Sequence, residues 1–266
     1  MAVWPCKSLN WIVTAGMQYE TTLTVRYAET GIEGRLKPGM ILNYFQDIAS
    51  DHCAEMGVSA LDLLPQNLAW VVYRYHLHVY RYPVWKESIY LKTWRYPVNN
   101  LYELRQFDVY DKANSLIITG KSSWILTRLD TKKPVRLKHN MPAKLMGGHQ
   151  MPITNDFPGI PEQTEMAASR PFLVRMHDLD FNRHVNNTVY IIWALESVPQ
   201  DIAGQCLPYE ISIQYQGDAV FGDQVTAFTQ PCPETPDSYL HTIFHDGQKA
   251  PITRIMTRWQ AFDAFS

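Results

Sequence analysis

The sequence runs through the same order of elements twice, and this repeat constrains the fold more than any other feature. Val25 and Val174 precede the two predicted helices in the same register, at an offset of 149 residues. The segments 111–124 and 246–259 each run from an aspartate to a tryptophan. Because such matches recur in the same order along the chain, they indicate an internal duplication.

Each half is predicted to hold one long helix followed by antiparallel strands. Apolar residues recur at helical spacing between Pro38 and Gly57, whereas "WVVYRYHLHVY" alternates between apolar and polar residues, as half-buried strands do. Residues 141–168 are rich in proline, glycine and polar side chains, which is typical of a linker. We therefore predict an α+β chain with domains at 17–140 and 169–266 and a linker at 141–168.

Composition narrows the class of protein. The chain has 266 residues, 46% of them apolar, and a net charge of -2, so it has a sizeable core and no global field for nucleic acid or an anionic membrane. No apolar run is long enough to span a bilayer, and residues 1–16 do not read as a targeting signal. The four cysteines lack the spacing of a metal site or disulfide framework, which predicts a cytoplasmic protein without a bound metal. They are Cys6, Cys53, Cys206 and Cys232.

The second half carries polar residues that the first half lacks, and this asymmetry predicts a site that was built once. The four residues are Asp180, Asn182, His184 and Asp218. In the shared register, the corresponding first-half residues are Gly31, Glu33, Arg35 and Tyr82. If the polar residues served folding alone, both halves would need similar ones.

The polar residues stand directly before the second helix. In an extended segment, residues 180, 182 and 184 would project to one side. Asn186 and Asn187 are candidates for the helix N-cap, which would leave free backbone N–H groups and the positive end of the helix dipole near His184. Such a helix start is able to stabilise a developing oxyanion.

The stretch "DLDFNRHVNNTVYIIWALESVP" resembles the signature of the acyl-acyl carrier protein thioesterases. In the first half "VRYAETGIEGRL", "RYPVW" and "SSWILTRLDTKKPVRL" match the same family, so the resemblance covers most of the chain. It implies two tandem hot-dog domains, each a long helix wrapped by a curled antiparallel sheet. It also implies hydrolysis of fatty acyl-acyl carrier protein, which releases free fatty acid and terminates fatty acid synthesis. No cofactor is implied, and the chain is expected as a monomer or homodimer.

The resemblance further implies that Asp180, Asn182 and His184 belong to the catalytic site, completed by a carboxylate 34 residues beyond the histidine. That residue is Asp218, where family members commonly have glutamate. Ala219 follows, where plant members often have cysteine, so a thiol nucleophile is excluded there. We therefore hypothesise that Asp218 activates water, directly or through His184, while Asp180 and Asn182 orient the reacting groups.

The resemblance implies an acidic carrier protein as the partner, and such a partner needs a basic surface for docking. The densest run of basic residues lies where the first half ends. The alternative interpretation of this run is a solvated linker that contains lysines. The run is Lys132, Lys133, Arg136, Lys138 and Lys144. By resemblance, the acyl chain lies mainly in the first half. Candidate residues there are Met40, Tyr44, Phe45, Trp70 and Val72.

Three alternatives stay open on the sequence. Glu196, within the apolar second helix, is either a catalytic carboxylate or a helix-end acid paired with an arginine. A hot-dog dehydratase acting on hydroxyacyl thioesters would use a similar fold. A non-catalytic module would bind acyl thioester without releasing thiol.

Overall fold

The computed structural model describes residues 18–146, 151–164 and 168–265. The residues that precede the first strand, and with them Cys6, lie outside these ranges. Within them, no helix is long and apolar enough to cross a membrane.

The predicted element order is confirmed in both halves. The described part of the chain contains ten strands: β1 Gln18–Thr24, β2 Leu68–Val79, β3 Ser88–Val98, β4 Tyr102–Tyr110, β5 Leu116–Arg128, β6 Ala168–Leu173, β7 Cys206–Tyr215, β8 Gln224–Pro231, β9 Ser238–His245 and β10 Pro251–Ala261. Five α-helices are described: α1 Pro38–Met56, α2 Ala60–Leu63, α3 Leu137–Asn140, α4 Asn187–Leu195 and α5 Gln200–Ala203. Short 3₁₀ turns at Tyr27–Glu29 and Met176–Asp178 precede the two long helices.

The strands form one antiparallel sheet in the order β1-β3-β4-β5-β2-β7-β10-β9-β8-β6. Each half contributes five strands in the same order, and β2 pairs with β7 at the centre of the sheet. The α+β prediction of two tandem hot-dog units is therefore confirmed. The two units share one continuous sheet because β2, at the edge of the first half, pairs with β7, at the edge of the second.

The long helices lie side by side inside the curl of the sheet. Helix α1 begins with Pro38 at its first turn and ends at Gly57, whose φ of 72° is the left-handed conformation that glycine adopts without strain. Gly39 lies at the contact between the helices, where an added Cβ would stand 3.1 Å from Ile192 of α4. A side chain at position 39 would therefore require Ile192 to shift by a few tenths of an ångström.

Residues 151–164 of the predicted linker cross the outer face of the sheet. Asp156 forms an ion pair with Lys121 of β5, and Glu162 forms one with Arg254 of β10 at 3.0 Å. The linker thus has one ionic contact with each half.

Candidate active site

The segment that precedes each long helix has the same backbone in both halves. In the first half, the N–H of Gly31 donates to the carbonyl of Arg35 at 2.8 Å, and Gly34 has a φ of 71°. In the second half, the N–H of Asp180 donates to the carbonyl of His184 at 2.8 Å, and Arg183 has a φ of 62°. Both segments are tight turns.

The expectation of an extended segment at 180–184 is therefore wrong. The chain reverses between Asp180 and His184 because the N–H of Arg183 also donates to the carbonyl of Asp180, at 3.0 Å. The Asp180 carboxylate accepts the N–H of Asn182 at 2.8 Å and that of His184 at 3.4 Å. Asp180 thus stabilises the turn that carries the other two residues.

Asp218 reaches His184 from the segment that follows β7. His184 pairs with Val220 in an isolated antiparallel bridge, and the N–H of Val185 donates to the carbonyl of Ala219 at 2.8 Å. The Oδ2 of Asp218 lies 3.6 Å from the Nε2 of His184. The structure thus brings together two of the predicted residues that are 34 positions apart in sequence.

Lys132 is a member of this site that the sequence interpretation assigned only to a docking surface. Its Nζ lies 2.7 Å from the Oδ2 of Asp218. Partial burial raises the pKa of Asp218, but the ammonium of Lys132 and the nearby His184 outweigh burial and hold that pKa below its ordinary value. Asp218 is therefore ionised at neutral pH. The feature of the sequence that could have indicated this contact is the position of Lys132, just after the last strand of the first half.

Helix α4 starts beside these residues, as predicted. Asn186 is the N-cap, and its Oδ1 accepts the N–H of Thr188 at 3.1 Å. The N–H of Val189 donates to the carbonyl of Asn186 at 2.9 Å. Asn187 occupies the first helical position, where the first half has Pro38, a residue without an N–H group. Only the second helix therefore offers a backbone donor at its first position.

A cavity of about 140 Å³ extends from this turn into the first half. Asp180, Asn182 and Asn187 line it on the second-half side, and Trp70 and Leu68 are among its first-half residues. The Oδ1 of Asn182 is buried and, among the described residues, has no hydrogen-bond partner. His184 and Asp218 are not among the lining residues.

Of the residues expected to contact an acyl chain, only Trp70 lines this cavity; its Nε1 donates to the carbonyl of Val58 at 3.2 Å. Tyr44, Phe45 and Val72 are buried in the main core, and Met40 packs against it. Three of the five expected positions are thus buried in the core, and the sequence pattern did not distinguish core from cavity wall.

The structure agrees with the interpretation of Glu196 as a helix-end acid paired with an arginine. It is the C-cap of α4, is half exposed, and lies 3.2 Å from the guanidinium of Arg170. Its position at the helix end agrees with a surface ion pair. Among the described residues, no group of three potential metal ligands is clustered.

Comparison with known proteins identifies the family. Residues 16–145 match the model of the acyl-ACP thioesterase N-terminal domain, and residues 161–261 match that of the C-terminal domain. The chain belongs to the acyl-ACP thioesterase family. Members of this family are thioester hydrolases, which confirms the family and the enzyme class predicted from the sequence.

Individual acyl-ACP thioesterases are similar over most of the chain. The oleoyl-acyl carrier protein thioesterase 2 of Arabidopsis thaliana is 28% identical over 245 residues, which cover 85% of this chain and 65% of the relative. A crystal structure of an acyl-ACP thioesterase from Bacteroides thetaiotaomicron superposes with a TM-score of 0.80 at 21% identity, covering 91% of this chain and 98% of the other. The 12:0-ACP thioesterase of Umbellularia californica superposes with a TM-score of 0.81 at 20% identity, covering 92% and 97%. The structural likeness supports the fold.

Proposed function

We propose that this protein hydrolyses the thioester of fatty acyl-acyl carrier protein, and that Asp218 is the general base. The observation that carries the proposal is the cavity shared by the two halves. Its wall is mostly apolar on the first-half side and presents Asp180, Asn182 and Asn187 on the second-half side. Such a cavity can enclose an acyl chain and hold its thioester beside the polar turn.

The proposed reaction needs no covalent intermediate. Asp218 accepts a proton from water as the water oxygen attacks the thioester carbonyl. The backbone N–H of Asn187 donates to the oxyanion that develops on the carbonyl oxygen. The C–S bond then breaks, and the proton held by Asp218 passes to the departing thiolate, with His184 available as a relay at 3.6 Å. The products are a free fatty acid and the thiol of the carrier.

The neighbours of Asp218 support a charged base. Both Lys132 and His184 face its Oδ2, which leaves Oδ1 for the attacking water. The carboxylate is half exposed, so water reaches it from solvent. A positioned base contributes about 10²- to 10⁴-fold to the rate of such a reaction.

Thiol release from acyl-acyl carrier protein tests this function. The wild-type protein should release thiol and free fatty acid together, and Asp218→Asn should reduce the rate at least about a hundredfold. Asp246→Asn is a matched control, since Asp246 accepts a hydrogen bond from Thr226 in a turn elsewhere on the second half. Enoyl thioester as the product would indicate a dehydratase, and stoichiometric binding without thiol release would indicate a binding module.

We also propose that the carrier protein docks on the exposed basic run next to Asp218. Lys132, Lys133, Arg136 and Lys138 are exposed, whereas the side chain of Lys144 lies outside the described residues. Because Lys132 contacts Asp218, the docking test uses Lys133→Glu together with Arg136→Glu. This double variant should raise KM for the carrier-bound substrate much more than for acyl-CoA, with Lys112→Glu as the control. Equal effects on both substrates would contradict docking at this surface.

The division at 17–140, 141–168 and 169–266, the cytoplasmic location and the monomeric or homodimeric state stay predictions. Within this division, the first domain would enclose the acyl chain and the second would supply the catalytic groups.

A further inference from the structure

The wall of the cavity on the first-half side contains a buried cluster of charged residues. Arg95 on β3 faces Arg105 on β4, and Glu103 lies beside them. The Nε of Arg95 donates to Glu103 Oε1 at 2.8 Å, and its Nη2 donates to Oε2, so the two residues form a bidentate pair. Glu103 and Arg105 both line the cavity.

Arg105 lies within hydrogen-bond distance of a histidine, a threonine and a cysteine. Its Nη1 lies 3.0 Å from the Nδ1 of His52 and donates to the Oγ1 of Thr93 at 3.3 Å. Its Nη2 lies 3.5 Å from the Sγ of Cys53, and burial raises the pKa of that thiol, so Cys53 does not supply a negative charge. Among the described residues, the carboxylate within 4.0 Å of Arg105 is that of Glu103, which Arg95 already engages.

The cluster therefore has two guanidinium groups and one carboxylate, an excess of one positive charge at a residue that is 2% exposed. Burying a charge without a counter-charge is unfavourable even after the surrounding protein relaxes. The excess charge is thus unfavourable for the free protein. An anion bound in the cavity would compensate it.

The second half shows that this fold does not need the charge. When the strand pairing is carried over, the cross-strand pair that corresponds to Arg95 and Arg105 is Pro231 and Tyr239. Tyr239 packs edge-on against Trp259, with the ring centroids 6.5 Å apart. The guanidinium pair is therefore particular to the half that contributes most of the cavity wall.

We propose that Arg105 binds a carboxylate carried by the acyl chain, so that the substrates include thioesters of dicarboxylic acids attached through one carboxyl group. This inference rests on the proposed hydrolysis and specifies its substrate class. A guanidinium presents two parallel N–H donors that match a carboxylate, and the bound carboxylate cancels the excess charge of the cluster. Gln46 and Ser50, which also line the cavity, add hydrogen-bonding side chains to its wall.

A paired substrate series tests the proposal with the wild-type protein. Acyl chains of equal length that end in either a methyl group or a carboxylate are loaded on acyl carrier protein, and kcat/KM is measured for each. At the length that reaches Arg105, the carboxylate-ended chain should exceed its methyl-ended partner at least about tenfold, as expected for a charge-assisted hydrogen bond. A preference for the methyl-ended chain at every length would overturn this inference and leave the hydrolysis intact. If no substrate of either series releases thiol, the proposed function itself fails.

Two variants test whether the preference for the carboxylate-ended chain depends on Arg105. Arg105→Met should abolish the preference for the carboxylate, measured as the ratio of kcat/KM between paired chains. Arg105→Lys should retain part of this ratio because it keeps the charge but not the planar fork. An unchanged preference in folded Arg105→Met would contradict the assignment. If Arg105→Met does not fold, Arg105→Lys and the wild-type series decide the outcome.

Discussion

The turns at 26–37 and 175–186 have the same backbone and different chemistry. In each, an arginine donates to a buried carboxylate three residues later, Glu29 or Asp178. In each, the residue before the helix donates its N–H to the carbonyl of that acidic residue, at 2.9 Å in the first half and 2.7 Å in the second. The same hydrogen-bonded turn thus precedes the long helix in both halves.

The difference lies in the side chains carried on this common backbone. Gly31 has no side chain where Asp180 accepts two backbone N–H groups, and Pro38 lacks the N–H that Asn187 has. The two turns thus share one backbone, and the groups able to do chemistry are present on only one of them.

The largest expected effect is a difference in thiol release between variants at corresponding positions of the two turns. His184→Gln should reduce thiol release about a hundredfold because it removes the imidazole next to Asp218. Arg35→Gln, at the corresponding bridge position of the first half, should leave kcat within about twofold, since it lies outside the catalytic groups. Steady-state kinetics on the two purified variants measure both values. A similar loss in both would show that the turns share one structural role.

A smaller effect should be common to the two turns. Glu29→Gln and Asp178→Asn should each lower the free energy of unfolding by about 2 kcal/mol, because buried charge-assisted hydrogen bonds are lost. Glu29 should show the larger loss, since it also accepts the hydroxyl of Tyr44 at 2.6 Å. Urea denaturation at neutral pH measures the difference.

The same carboxylates predict how stability depends on pH. Burial raises the pKa of Glu29 and of Asp178, but the arginine and backbone hydrogen bonds outweigh burial, so both pKa values lie below their ordinary range. Their contribution is complete above the pKa of the unfolded chain, about 4, and is lost as the pH falls through the lower folded-state pKa. Each variant should therefore lose less stability than wild type on acidification. A steeper loss in the variants would contradict this assignment.

The smallest expected effect is a shift in the pH profile. Lys132→Met removes the ammonium that lowers the pKa of Asp218, so the acidic limb of kcat/KM should move to higher pH. Lys133→Met is the control, since Lys133 is the exposed neighbour in the same run and Lys132 is the residue that contacts Asp218. A limb that stays in place, or moves to lower pH, would argue against Asp218 as the titrating base.

Much of the fold could be predicted because local patterns decide it. Helical spacing between Pro38 and Gly57 and alternation in "WVVYRYHLHVY" are direct consequences of helix and strand geometry, and the repeat then fixed the order of elements. The turn at 180–184 was missed because an alternating set of polar residues resembles a strand. The positive φ of Arg183 is rare outside glycine and asparagine, so the residue type at this position did not indicate a turn.

By itself, the sequence determined the duplication, the two helices, the antiparallel strands and the asymmetry that marks one half as the polar one. Only the tertiary structure decided that β2 and β7 join the halves into one sheet, that Lys132 contacts Asp218, and that Arg105 lies in the cavity wall. The physical reason is the sequence separation over which each kind of interaction acts. Hydrophobic period and capping act between residues a few positions apart, whereas ion pairs and cavity walls join residues that only the packing of distant strands brings together.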